Sequence, residues 1–211
     1  MDMPPAAFAR IVAVRFGPES LDDAFEYFRS VSVPLVEKQP GARGIAGLGN
    51  RSSGNTWALS LWQTSDDLEA SNSPPDVVEA LVGYGKWMTG PFSVQTYSIL
   101  AGELSPPGSN PLTGEWARLT TLVPEPQEMD AAARLLGDRL VRLHERCDGG
   151  RGSLLLSQHR SNRLLSIDLW ESHEAMLDSE SEAMTQDQRL RIAVSLQIPP
   201  VREEAQVFGR Y

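Results

Sequence analysis

Hydrophobic positions along the first hundred residues switch between two spacings. Phe8 to Phe16 (FARIVAVRF) is a run of β-formers and predicts a strand. Behind Pro18-Glu19-Ser20, residues Leu21, Phe25, Phe28, Val31 and Leu35 recur at intervals of three and four, the stripe of an amphipathic helix. Pro34 falls inside that stripe with no N–H to give the preceding turn, so the helix should kink or end there. Gly41 closes the segment. Arg43 to Asn50 predicts a second strand, Arg51 to Asn55 a hairpin turn, and Thr56 to Gln63 (TWALSLWQ) a third strand. Thr64-Ser65-Asp66-Asp67 is a helix cap. Beyond Pro74-Pro75 a further helix carries Val78, Leu81, Val82, Tyr84 and Met88 toward Gly90-Pro91, and Phe92 to Ala101 predicts a fourth strand. The order is β-α-β-β-α-β, behind a disordered arm at residues 1–7.

The same pattern returns. Phe8 to Ser71 recurs without a gap as Trp116 to Ser179, at an offset of 108 (116 − 8). Ala9-Arg10 matches Ala117-Arg118, Gly41-Ala42-Arg43-Gly44 matches Gly149-Gly150-Arg151-Gly152, and Leu61-Trp62 matches Leu169-Trp170. The second copy predicts strands at Trp116 to Val123, Arg151 to His159, Arg163 to Glu171 and Arg202 to Arg210. Its helices are Gln127 to Arg146 and a stretch from Ser172 to about Ser195. A period near one hundred residues is too long for a solenoid unit of about 20–50 residues, so each copy is a small domain. Leu104 to Gly114 (LSPPGSNPLTG), rich in Pro, Ser and Gly, reads as the linker between domains at 1–103 and 115–211.

A β-α-β-β-α-β unit makes one antiparallel sheet with both helices on one face. The other face is bare, and two such sheets can cover each other, removing apolar area from water at about 25 cal/mol per Å². The expected fold class is α+β: two ferredoxin-like repeats packed sheet to sheet as a barrel within one chain. That makes the chain a monomer with an internal pseudo-dimer; a homodimer of the whole chain is the alternative.

Composition narrows the partners. The net charge of −9 argues against nucleic acid and against an anionic membrane surface, since both need clustered Lys and Arg. The opening Met1-Asp2-Met3-Pro4-Pro5 has no signal-peptide pattern, and no apolar run reaches the roughly 18 residues of a membrane span. With one cysteine, Cys147, the chain has no internal disulfide, and a cytoplasmic location is expected.

The element order, the repeat and the Leu-Trp ending each third strand before a polar helix start (Leu61-Trp62 into Thr64-Ser65-Asp66-Asp67, and Leu169-Trp170 into Ser172-His173-Glu174) carry a resemblance. The chain resembles the antibiotic biosynthesis monooxygenase domain of the dimeric α+β barrel superfamily, written twice. The resemblance implies a cofactor-independent monooxygenase, or a related enzyme, acting on a small aromatic or quinol-type molecule. A non-catalytic small-ligand-binding or structural protein is the alternative. The haem-degrading branch of that family needs an Asn on the first strand and a Trp and a His on the second helix. Those helix positions hold Ser71 and Ser179, Leu81 and Arg189, and neither first strand has an Asn, so haem is not expected.

The candidate residues follow from the third strands. Trp57, Leu59 and Leu61 share one face, and Ala58, Ser60 and Trp62 the other; in the second copy these are Leu165, Ile167, Leu169 and Ser166, Asp168, Trp170. Asp168 is the one charge in the middle of a buried strand and needs a partner, expected to be Arg10 or Arg118. It is one candidate general base, and His173, three residues past Trp170, is the other. Trp62, Trp170 and Trp87 could hold a flat ring, and Tyr84, Trp87, Met88, Met176, Leu177 and Met184 would line a crevice between second helix and sheet, with Arg118 beside it. His144, His159 and His173 show no i, i+4 pairing, so no metal is expected, and no cofactor. The copies have diverged unequally, so at most one should keep a working pocket.

Overall fold

The computed structural model describes residues 6–72, 74–104, 115–182 and 196–211. Most of the linker, the helical stretch expected beyond residue 182 with Met184, and the side chains of His144 and His159 lie outside the described residues. The first copy folds as β1 (Phe8–Arg15), α1 (Leu21–Tyr27), α2 (Val33–Glu37), β2 (Ala42–Gly49), β3 (Asn55–Trp62), α3 (Ser65–Ala70), α4 (Pro75–Gly83) and β4 (Ser93–Leu104). The second folds as β5 (Trp116–Leu122), α5 (Met129–Arg146), β6 (Gly150–Gln158), β7 (Arg163–Trp170), α6 (His173–Glu182) and β8 (Val201–Arg210). The class is α+β, and the hydrogen-bonded strand order, β1-β3-β2-β8-β5-β7-β6-β4, is that of a closed barrel, as the repeat predicts.

Two compact units divide the chain, and they cut across the copies at the last strand of each. Unit 1 holds the chain up to Tyr97 and takes back Ala205–Tyr211; unit 2 runs from Ser98 to Glu204 apart from the linker residues. Within unit 1 the end of β8 pairs with β2, and Ile45 and Tyr211 exchange backbone hydrogen bonds of 2.8 and 2.9 Å. Within unit 2 the later part of β4 pairs with β6.

The ladders keep the offset of the sequence repeat. Arg10 lies opposite Ser60 and Ser60 opposite Ile45; 108 positions on, Arg118 lies opposite Asp168 and Asp168 opposite Ser153. Val12–Ala58–Gly47 and Thr120–Ser166–Leu155 form the next matching rows. Cross-strand partners project to the same face, so each row is one line across the sheet. The helix caps match as well: the Thr64 side chain accepts from the Asp67 N–H at 3.1 Å and Ser172 Oγ from the Ala175 N–H at 3.1 Å.

Pro34 accounts for the main difference between the copies. The first helical stretch breaks into α1, a π-turn at Phe28–Ser32, and α2 with Pro34 in its first turn. Proline can sit where a first-turn N–H would be unsatisfied in any case. Its counterpart at the same offset is Arg142, and α5 runs unbroken for 18 residues. Each unit then buries a core between helices and sheet: Leu21, Ala24, Phe25, Phe28, Val33 and Ile45 in unit 1, and Leu122, Leu136, Leu140, Leu155 and Leu164 in unit 2. Among the described residues no helix is long and apolar enough to cross a membrane.

Candidate functional site

The helix-facing side of the unit 1 sheet has a small-residue floor. Gly47, Thr56, Ala58 and Ser60 occupy positions that unit 2 fills with Leu155, Leu164, Ser166 and Asp168. Opposite the floor stand flat rings. A Cβ on Gly47 would lie 2.9 Å from Phe28 and 3.0 Å from Phe25, so the glycine is what lets both rings come down onto the sheet. Unit 2 reverses the exchange with Ala133 and Leu136 at the ring positions. Flat rings over a shallow floor leave a slot where branched leucines would interdigitate. In unit 1 that slot is a cavity of about 170 Å³. It reaches α4 at Val77, Ala80 and Leu81 and continues to Tyr84 and Met88, the crevice expected from the sequence. Phe92 and Val94, 47% and 46% exposed, border it on the side facing solvent.

The polar groups on this lining are few. Arg10, Ser32, Thr56, Ser60, Asn72 and Tyr84 are among them, and among the described residues no carboxylate or imidazole is. Tyr84 stacks on Phe16 at 5.7 Å, meets Tyr27 edge-on at 4.9 Å and shares a 2.8 Å hydrogen bond with Ser32 Oγ. Burial pushes its phenol up to about 12, against the opposing pull of the Ser32 hydrogen bond, so it is a neutral hydroxyl. Thr56 Oγ1 is engaged with the Val14 carbonyl at 2.8 Å.

Arg10 crosses from β1 to the end of α3. Its Nη2 donates to the Leu68 carbonyl and, at 2.7 Å, to Ser71 Oγ, and its guanidinium lies 5.3 Å from the Trp62 ring. Nε is buried and donates to nothing. Burial pushes the guanidinium below its ordinary value. Arg118 repeats the clamp in unit 2, donating to the Met176 carbonyl at 2.7 Å and to Ser179 Oγ at 3.4 Å. Arg118 is thus 3% exposed and ties α6 to β5.

Asp168 is fully buried, and its partner corrects the expectation. Arg139 of α5, with Nη1 and Nη2 both 3.3 Å from Oδ2, pairs with it rather than Arg10 or Arg118. Arg10 belongs to the other unit, and Arg118, although opposite Asp168 in the ladder, turns toward the end of α6. Ser166 Oγ donates to the same Oδ2 at 3.0 Å, leaving Oδ1 without a partner. The other base candidate, His173, is at the surface of unit 2 with Nε2 3.1 Å from Glu204 and its ring on Trp116 at 4.2 Å. Neither borders the cavity.

The strand-end tryptophans are core. Trp62 and Trp170 are fully buried; Trp62 Nε1 donates to Ser60 Oγ at 2.9 Å, while Trp170 Nε1 finds no partner where Asp168 replaces that serine. Met176, also fully buried, packs against Trp170. Trp87 packs on Tyr27 and Tyr84 behind the lining. Of the sequence candidates, Tyr84 and Met88 border the cavity. Arg10 and the small floor were not singled out as a site, although alternation along β1 and β3 puts Arg10 and Ser60 on one face. Among the described residues no three of His, Cys, Asp and Glu converge as a metal site.

No family model and no curated protein sequence matches the chain. Among solved structures it is similar to a Fusobacterium nucleatum protein described as a "putative monooxygenase", with a TM-score of 0.81 at 11% identity over 99% of this chain and 95% of that one. A Lactobacillus acidophilus protein described in the same words gives 0.74 at 8% identity, covering 97% and 94%. An "anthrone oxidase-like protein" gives 0.70 at 16% identity, covering 98% and 93%. These likenesses are of fold, and they bear out at that level the resemblance drawn from the repeat.

Proposed function

We propose that the chain is a cofactor-independent monooxygenase acting on a small aromatic or quinol-type molecule bound in the unit 1 cavity. The observation that carries the reading is the cavity itself, an apolar slot with ring-bearing helices on one side and a small-residue floor on the other. Its volume of about 170 Å³ suits one enclosed ring, since a 150 Å³ apolar cavity holds benzene. Further rings would lie toward Phe92 and Val94. The full-length likeness of fold to proteins described as monooxygenases supports the reaction class, as analogy.

The chemistry asks little of the protein. An electron-rich methylene or ring carbon next to a hydroxyl or carbonyl loses a proton, and the carbanion passes electrons to O₂. A C–O bond forms, the O–O bond breaks, and methylene plus O₂ becomes carbonyl plus water. With no carboxylate or imidazole among the described residues of the lining, the proton leaves to solvent at the open side. That same absence favours a second reading, a protein that binds such molecules without turning them over.

Oxygen uptake with single-ring hydroquinones, naphthohydroquinones and anthrones separates the two. The monooxygenase reading expects uptake that falls at least about ten-fold in Ala58→Leu, which fills the floor of the slot. Binding without uptake above buffer would leave the non-catalytic reading.

A further inference from the structure

We propose that the unit 1 cavity selects a ligand carrying an acidic oxygen, as a carboxylate, phenolate or enolate, which supplies the negative charge that Arg10 lacks. The inference rests on the cavity being the binding site and names the class of molecule it takes. Arg10 lines the cavity and is 8% exposed. Its contacts are a carbonyl, a hydroxyl and an indole face, and none is an anion. A buried charge without a counter-charge is strongly unfavourable, and an anionic ligand atom would offset that cost.

The two copies separate the structural part of this residue from the rest. The clamp onto the following helix is common to Arg10 and Arg118, so helix anchoring explains why both copies have an arginine there. It does not explain the next position. Across the ladder from Arg118 stands Asp168, and across from Arg10 stands Ser60. Such partners have Cβ atoms about 4.5–5.5 Å apart, so unit 2 places a carboxylate on the arginine's flank where unit 1 has a hydroxyl. That hydroxyl accepts from Trp62 Nε1, and the cavity opens beside it, bordered by both Ser60 and Arg10. In unit 2 that carboxylate is held by Arg139, whose counterpart is Val31, so unit 1 lacks both members of the pair and the side of Arg10 facing the cavity is left to a ligand oxyanion. The remaining lining is mostly apolar and ringed, so the charge would be borne by a flat aromatic body. In so dry a setting a charge-assisted hydrogen bond is stronger than its neutral counterpart.

The test compares shape-matched neutral and charged ligands. Naphthoate and naphthamide are titrated at one pH and ionic strength, with quenching of tryptophan fluorescence as readout, Trp57 being part of the lining. Wild type should bind the acid at least about ten-fold more tightly than the amide. Arg10→Met should remove that preference, but it also removes the clamp. Ser60→Asp is therefore made in parallel: it keeps Arg10, installs the carboxylate of unit 2 opposite it, and should weaken acid binding at least about ten-fold more than amide binding. Equal affinity for acid and amide in wild type, or a preference intact in Ser60→Asp, overturns the inference and leaves the cavity as a binding site. Failure of both ligands to bind overturns the cavity reading with it.

Discussion

Replacing Asp168 by Asn tests whether that carboxylate is part of the fold or of the chemistry. The substitution keeps the shape and removes the charge, leaving Arg139, 11% exposed, without its counter-ion. Breaking a buried ion pair from one side costs about 3–5 kcal/mol. The lower end applies here, because both N–O distances are 3.3 Å and the amide of the variant would still offer Arg139 an oxygen. With a urea slope of about 3 kcal/mol per M, a loss near 3 kcal/mol moves the unfolding midpoint by about 1 M. The native pair is itself imperfect, since Oδ1 of Asp168 accepts nothing. Asp168→Leu combined with Arg139→Met should therefore recover most of the loss, as buried ion pairs exchanged for apolar residues commonly do. Urea unfolding followed by tryptophan fluorescence and by circular dichroism measures all three proteins. Oxygen uptake should be unchanged in Asp168→Asn wherever the fold persists. Asp168→Asn within about 0.5 kcal/mol of wild type, or a double variant no more stable than Asp168→Asn, would refute the assignment.

Two further outcomes rest on local geometry. Gly102 has φ +91° just past the irregularity between Ile99 and Ala101 in β4, and a Cβ there would lie 2.1 Å from the Ser153 carbonyl oxygen, so Gly102→Ala should cost at least about 2 kcal/mol. Thermal unfolding should show a drop in Tm of at least about 4 °C, with Gly90→Ala, where a Cβ meets nothing within 4 Å, as the neutral control. Tyr84 ionises near 12 in the fold against an ordinary value of 10.0, so the unfolded chain loses that proton first. Stability is then unaffected by this group below about pH 10 and falls between about pH 10 and 12, by roughly 2–3 kcal/mol. Urea unfolding across that range should show the decline in wild type and a smaller one in Tyr84→Phe.

Most of the scaffold can be read from the residues because its determinants are local. The alternation of TWALSLWQ and the cap at Thr64 each act within a few residues and appear in the structure where they are expected, whereas Pro34 gives a π-turn ahead of it at Phe28–Ser32 and the helix runs on to Glu37. The offset of 108 then carries the reading into the second copy, register included. What local signals lack is the destination of β4 and β8: a strand's sequence says which face is apolar, not which distant edge completes its ladder. The tryptophans misled for a related reason. A ring at a strand end suits a ligand or a core equally, and the neighbours that close over Trp62 and Trp170 come from residues far along the chain.

The partner of Asp168 was within reach of the two copies compared with each other. Where the first has Val31 and Ser60, the second has Arg139 and Asp168, two charges of opposite sign that arrive together. The exchange of Gly47 with Phe25 and Phe28 for Leu155 with Ala133 and Leu136 is compensated in the same way, by size instead of charge. Duplicated modules that stay folded must balance each such change, because an unfilled volume or an unpaired buried charge costs a large part of a domain's net stability. Arg10 stands outside that rule. It is a buried cation that faces Ser60, contacts no carboxylate among the described residues and borders the cavity, whereas the carboxylate across the ladder from Arg118 is held by Arg139.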